Sequence, residues 1–163
     1  AIKTKTPIDR MLRDFDSVSI CLSKGLGAPV GSLLVGSQDF ISRASRWRKL
    51  FGGGMRQSGF LAACGIFALE NNIERLAEDH NRAYHLAEAI SNMDGFSIDL
   101  SSVETNMVYI NSDMGAKKLM SELATHGIDV LDVGPTAVRA AVHLHVTDED
   151  IEKVIQVFSK LSN

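Results

Sequence analysis

Lys24 stands where an apolar run, Val18–Leu22, gives way to a stretch holding Gly25, Gly27, Pro29 and Gly31, with a second apolar run at Ser32–Val35. A lysine amine becomes a nucleophile once it loses its proton, and burial disfavours its charged form. Among neighbours with almost no bulk or charge, Lys24 would have room around it and little water. That is the setting in which a neutral amine attacks a carbonyl to form a Schiff base. A solvated loop lysine would have the same neighbours in sequence. A phosphate-cradling loop is excluded, because that motif places Lys and Ser/Thr after its last glycine, whereas Lys24 precedes all of these glycines. Spacing alone leaves Lys24 open between a solvated amine and a reactive one.

Arg139 is the second residue able to do chemistry. It lies in Thr136-Ala-Val-Arg-Ala-Ala-Val-His143, a probe of the same kind: a cation within an apolar strand. Burying it is costly without an anion, and its planar fork suits a carboxylate. A structural salt bridge and a bound substrate carboxylate both meet that requirement. His143 and His145 lie two apart and would share a strand face, but no third ligand stands nearby, so no metal site is assigned. His80 and His85 are five apart, off the i, i+4 spacing of helical ligand pairs, and read as structural or exposed. Cys21 reads as packed in its strand rather than reactive.

The elements that must position these residues follow from period and punctuation. The two runs around Lys24 read as short buried strands bounded by glycine. Thr6–Arg13 has helical spacing through Ile8, Met11 and Leu12. Ser37 can cap a helix over Asp39–Leu50, which carries Arg43, Arg46, Arg48 and Lys49. For Arg43 a solvated helix face is the reading. Gly52-Gly53-Gly54 ends that helix. Phe60, Ala63, Cys64, Phe67 and Ala68 then recur at helical spacing, with small residues between them, as in a helix buried on several sides. After a pause at Asn71-Asn72, the period resumes from Ile73 to about Ser91.

Beyond the turn residues Asn92-Met-Asp-Gly95 the texture changes. Strands are expected at Phe96–Leu100, Met107–Ile110, Asp129–Leu131 and Val138–His143, and helices at Ala116–His126 and Asp148–Leu161. Thr147 is a good N-cap, with Asp150 at the third helical position. The alternation implies a small α+β layer over 92–163, following an α/β portion with a connecting helix over 1–91.

With 163 residues the chain has ample length for a core. Its net charge of -3 excludes a basic field for nucleic acid. No apolar run approaches the roughly 20 residues that span a bilayer, and the first residues lack the apolar core of a signal peptide. Two cysteines fit reduced side chains, and hence a cytoplasmic compartment, better than a disulfide framework.

Asp16 to Ser32 (DSVSICLSKGLGAPVGS), with Arg46-Trp-Arg-Lys49 and Gly52-Gly-Gly-Met-Arg-Gln57, closely resembles the low-specificity L-threonine aldolases, fold-type I enzymes that use pyridoxal 5'-phosphate (PLP). The resemblance runs from about Phe15 to the C-terminus. It implies an α/β fold: the C-terminal part of the PLP-binding large domain, followed by a small α+β domain. It further implies that Lys24 is the Schiff-base lysine, and that Lys49 and Arg56 lie near the cofactor or at a subunit boundary, where they serve the phosphate or a substrate oxygen. In the same motif Arg139 holds the substrate's α-carboxylate.

The implied reaction cleaves a β-hydroxy-α-amino acid to glycine and an aldehyde. The implied assembly is a homotetramer with active sites shared across subunits, which fits the apolar Met55–Ala68 segment. Another fold-type I enzyme, such as a β-eliminating lyase, would share the lysine and the arginine. So would a fragment that only folds or oligomerises. Family members are longer at the N-terminus, where they carry the phosphate loop, a histidine that stacks on the ring and an aspartate facing its nitrogen. None of these motifs occurs here, so the chain alone is expected to be inactive.

Overall fold

A computed structural model describes residues 1–162, in two compact units, Ala1–Leu76 and Ala77–Asn163. Each is described by itself.

The first unit begins with helix α1 (Ile8–Leu12) and then forms a hairpin of strands β1 (Ser17–Cys21) and β2 (Ser32–Gly36). The strands pair antiparallel, from Ser17 opposite Gly36 to Cys21 opposite Ser32. The expected strands are present but not buried: every residue of β2 is exposed, and β1 is at most half-buried. A two-stranded ribbon hides neither face unless another element lies on it. Here Phe40 reaches only its end, where a Cβ on Gly36 would meet the Phe40 ring at 2.8 Å.

Helix α2 (Gln38–Leu50) starts on Ser37, whose hydroxyl accepts from the Phe40 N–H at 3.3 Å. It ends as the three glycines require. Gly52 takes φ +80°, its N–H donates to the Lys49 carbonyl, and the Gly53 N–H donates to the Arg48 carbonyl at 2.8 Å. This is a Schellman closure, in which glycine accepts the left-handed turn at no steric cost. Helix α3 (Gly59–Asn71) follows. Only Gly65 and Ala68 of α3 are buried, while Phe60 is 81% exposed and Phe67 62%. The expectation of a helix buried on several sides is therefore corrected: these apolar side chains have no covering element within this unit.

The second unit is a two-layer α+β structure. Helix α4 (Leu76–Ser91) opens it, with Ala83, Leu86, Ala87 and Ile90 on one buried stripe. This stripe joins the second core, and the two compact units divide in sequence between Leu76 and Ala77, at the first turn of α4. The strands are β3 (Phe96–Ser97), β4 (Met107–Ser112), β5 (Leu131–Asp132) and β6 (Ala137–Ala141), in the antiparallel order β3-β4-β6-β5. Helices α5 (Ala116–Thr125) and α6 (Asp148–Leu161) bring Leu119, Leu123, Ile151, Val157 and Phe158 against Val108, Ile110 and Val138.

Phe96 and Phe158 meet edge to face at 5.0 Å. The Thr147 hydroxyl accepts from the Asp150 N–H while the Asp150 carboxylate accepts from the Thr147 N–H, closing the capping box expected there. Expected strand 96–100 stops at Ser97, because Asp99 caps a 3-10 turn at Leu100–Ser102. The expected strand 138–143 stops at Ala141, so His143 and His145 lie in a loop, not on a strand face. The backbone N–H of His145 donates to His143 Nδ1 at 3.3 Å.

Candidate active site

Lys24 sits in the loop that joins β1 to β2. The Leu22 N–H donates to the Gly31 carbonyl at 3.0 Å, which continues the ladder one step past Cys21. The Gly27 N–H then donates to the Lys24 carbonyl at 2.8 Å, and Gly27 takes φ +72°. Lys24 thus opens a tight turn whose close needs a residue tolerant of the left-handed region. The Ala28 N–H returns to the Leu22 carbonyl at 3.0 Å.

Beneath the turn, Leu22, Ala28 and Ala68 of α3 form a small buried cluster flanked by Leu26 and Leu69. Gly65 allows this approach: a Cβ there would stand 3.0 Å from Leu22 Cδ1. Asn72, at the end of α3, donates from Nδ2 to the Leu26 carbonyl at 2.7 Å. The turn is therefore anchored on its inner side. Its outer side presents the lysine.

Lys24 is exposed, which corrects the expectation of a lysine with little water around it. Its neighbours are small, as the sequence required, but small neighbours exclude water only when something closes over them. Nothing in the first unit does so. Lys24 has no salt bridge among the described residues. Cys21, expected to be packed, is also exposed; the Ser32 hydroxyl lies 3.7 Å from its sulfur, across the last pair of the hairpin. Cys21 and Cys64 are both free thiols.

Lys49 lies in the last turn of α2, where it lines a groove with Arg43, Arg46, Trp47 and Leu50. Neither Lys24 nor Arg56 lines it. Arg43 pairs with Asp39 one turn earlier at 3.8 Å with both side chains well exposed, a solvated helix face as expected. Arg56 is exposed between the triglycine and α3, next to Gln57 at φ +51°.

Arg139 belongs to the second unit. It is the middle residue of β6, directly opposite Tyr109 of β4 on one side and Leu131 of β5 on the other. Strand alternation puts these three on the sheet face away from the helices, with Met107, Asn111, Ala137 and Ala141. No carboxylate stands among them; Asp132 pairs with Val138 and shares the opposite face. Arg139 is half-buried, and its Nε is shut off from solvent with no hydrogen-bond partner. The salt bridge that would have explained this arginine structurally is not formed. With no anion among the described residues to pair with it, the guanidinium keeps its charge for an external acceptor, which its terminal nitrogens can reach.

In the sequence Asn72 marks only a pause, and nothing there sets Tyr109 and Leu131 beside Arg139. Asparagines at a pause carry no sign of the distant carbonyl they reach, and cross-strand register leaves no trace in composition. His85, read as structural or exposed, pairs with Glu152 at 2.7 Å, and beside it Arg82 binds Asp148 at 2.6 Å. The Asp148 carboxyl is held below its ordinary value first by that hydrogen bond from Arg82. Both pairs join α4 to α6.

The chain is 39% identical over 164 residues to low-specificity L-threonine aldolase 1 of Arabidopsis thaliana, covering 98% of this chain and 46% of that protein. It is 46% identical over 139 residues to the low specificity L-threonine aldolase of Escherichia coli, covering 85% of this chain and 40% of that one. A solved Listeria monocytogenes structure described as an L-allo-threonine aldolase superposes with a TM-score of 0.81 at 20% identity, over 97% of this chain and 48% of that chain. The chain thus spans less than half the length of these relatives. Its fold is that of the C-terminal part of fold-type I PLP-dependent enzymes, α/β with a small α+β domain. Residues 1–113 match the family described as beta-eliminating lyase, and to that family the chain belongs.

Proposed function

We propose that this chain is the C-terminal part of a PLP-dependent aldehyde lyase that cleaves L-threonine or L-allo-threonine to glycine and acetaldehyde. The observation that carries the reading is the turn anchored by Gly27 and Asn72, which presents an exposed, unpaired Lys24 within a chain 39–46% identical to two threonine aldolases. The residues present suit the cofactor. A primary amine is free to attach its aldehyde, and the unpaired Arg139 is free to take a substrate carboxylate. When bound, PLP supplies an electron sink for the bond that breaks at Cα.

In this reading Lys24 would hold the cofactor covalently through its amine. Arg139 grips the α-carboxylate, which orients the substrate so that the Cα–Cβ bond is the one that cleaves. The β-hydroxyl loses its proton, its C–O bond becomes the aldehyde carbonyl, and Cα gains a proton to leave as glycine. Lys49 and Arg56 supply positive charge toward a phosphate or a substrate oxygen. Residues 1–91 serve as the end of the large domain with its connecting helix, and 92–163 as the small domain.

The working protein is a homotetramer in this reading. The support is the apolar surface of the first unit, where Leu50, Phe51, Phe60 and Phe67 are all exposed. A cytoplasmic location is consistent with two free thiols. Among the described residues no helix is long and apolar enough to cross a membrane.

The second reading, β-elimination, is favoured by the description of the family itself. Incubating the complete holoenzyme with L-threonine separates the two. Equimolar glycine and acetaldehyde support the aldolase, and their absence, with cofactor bound, overturns it. The chain alone is expected to show no turnover.

A further inference from the structure

We propose that Tyr109 is a positioning residue for Arg139: its ring walls the guanidinium so that the two terminal nitrogens meet an incoming carboxylate end-on. The inference rests on the reading of Arg139 as the carboxylate-binding residue.

Three observations carry it. Tyr109 and Arg139 are direct partners in the β4–β6 ladder, and such partners hold their Cβ atoms about 4.5–5.5 Å apart on one face. Arg139 Nε is shut off from solvent without an acceptor. Its terminal nitrogens are neither bonded nor shut off, so they remain reachable. The side chains that register sets on either side of Arg139 are Tyr109 and Leu131. They are not equivalent walls. Leu131 belongs to a two-residue edge strand, whereas Tyr109 stands at the centre of the β4–β6 ladder, which runs from Met107 to Asn111. The tyrosine is the fixed wall.

A guanidinium covered at Nε has one fork left, the pair of terminal nitrogens, and that fork matches the two oxygens of a carboxylate. The ring also displaces water from the stem, and a charge pair gains strength as water leaves its surroundings. No acid on the same face competes for the fork. Tyr109 therefore acts through Arg139, by direction and by dryness, and its ring is what counts, not its hydroxyl.

The test uses the full-length holoenzyme with Tyr109→Phe and Tyr109→Ala, each alone and combined with Arg139→Ala. Tyr109→Ala is expected to raise KM and to weaken calorimetric glycine binding by about fivefold, the scale of one strong cross-strand pair. Its kcat and cofactor absorbance stay near those of the parent, and Tyr109→Phe restores KM and glycine affinity. On the Arg139→Ala background, removing the ring adds nothing further. Should Tyr109→Ala fail to fold, Tyr109→Leu takes its place, with the same loss expected. The inference is overturned if the truncated variant keeps its glycine affinity, if Tyr109→Phe loses as much as Ala, or if the double variant is additive. Those outcomes leave the Arg139 reading standing when Arg139→Ala itself raises KM. If Arg139→Ala leaves KM unchanged, the carboxylate reading falls and this inference falls with it.

Discussion

The side-chain amide of Asn72 donates to the carbonyl of Leu26 at 2.7 Å, across 46 residues of chain. One hydrogen bond thus ties the end of α3 to the turn that presents Lys24. Asn72→Ala would leave the Leu26 carbonyl without its partner in a part-buried setting. The expected cost is about 1 kcal/mol, with faster amide exchange at Gly27 and Ala28 than elsewhere in the unit. Hydrogen exchange followed by mass spectrometry checks this, and uniform exchange would show that the loop is held by its own turn.

Lys24→Ala should abolish covalent attachment of the cofactor in the full-length protein. Borohydride reduction of the parent followed by peptide mapping should place the pyridoxyl label on Lys24. A label on any other lysine would refute the assignment.

Arg139→Ala should raise KM strongly while leaving cofactor absorbance intact. Loss of a charge-assisted bidentate pair costs on the order of 2–5 kcal/mol where the partner charge is desolvated. Arg139→Lys should lose less, because it keeps the charge but not the fork. Steady-state kinetics on both variants decides, and an unchanged KM in the Ala variant would return this arginine to a structural role.

Acid should weaken the second unit in a defined direction. Asp148 is held below its ordinary value by the hydrogen bond from Arg82, Asp150 by its bonds from Thr147, and Asp99 by those from Ser101. A carboxyl depressed in the folded state contributes stability above its unfolded value of about 3.9 and loses it as pH falls through the folded value. Urea midpoints should therefore hold steady down to about pH 5 and fall toward pH 3. Asp148→Asn should flatten part of that fall. An identical pH dependence in the variant would remove the Arg82–Asp148 pair from the account.

Assembly is testable by complementation. If Arg56 serves the cofactor of a neighbouring subunit, mixing Arg56→Ala with Lys24→Ala subunits should create some sites intact at both positions. Activity would then rise above that of either parent. No rise despite confirmed subunit exchange would confine Arg56 to its own chain, and light scattering on the active protein would refute the oligomer if it reported a monomer.

The elements themselves were largely legible in the sequence. Ser37 announces α2, the triglycine announces its end, and Thr147 with Asp150 announces α6 to the residue. Local chemistry decides such boundaries, so local sequence records them. Burial was less legible. Val18–Leu22, Ser32–Val35 and Phe60–Ala68 are apolar, and apolarity says that a surface favours cover without saying what covers it. Within this chain the hairpin and α3 stay exposed, and Lys24 with them. Arg139 was marked by its odd place in an apolar strand, but its neighbours Tyr109 and Leu131 depend on register, which only the folded sheet defines.

The two units differ sharply in what they hold inside. The second closes over a continuous core from Ala83 to Phe158, whereas the buried apolar cluster of the first is Leu22, Ala28 and Ala68, with Gly65 beside it. Cellular proteases and holdase chaperones select segments that open easily and display greasy side chains. This chain taken alone would be seized at α2 and α3, with the second unit left as a resistant remnant. Its lifetime would then follow how fast the first unit's surfaces are covered, and polar substitutions at the exposed Phe51 or Phe60 would lengthen it.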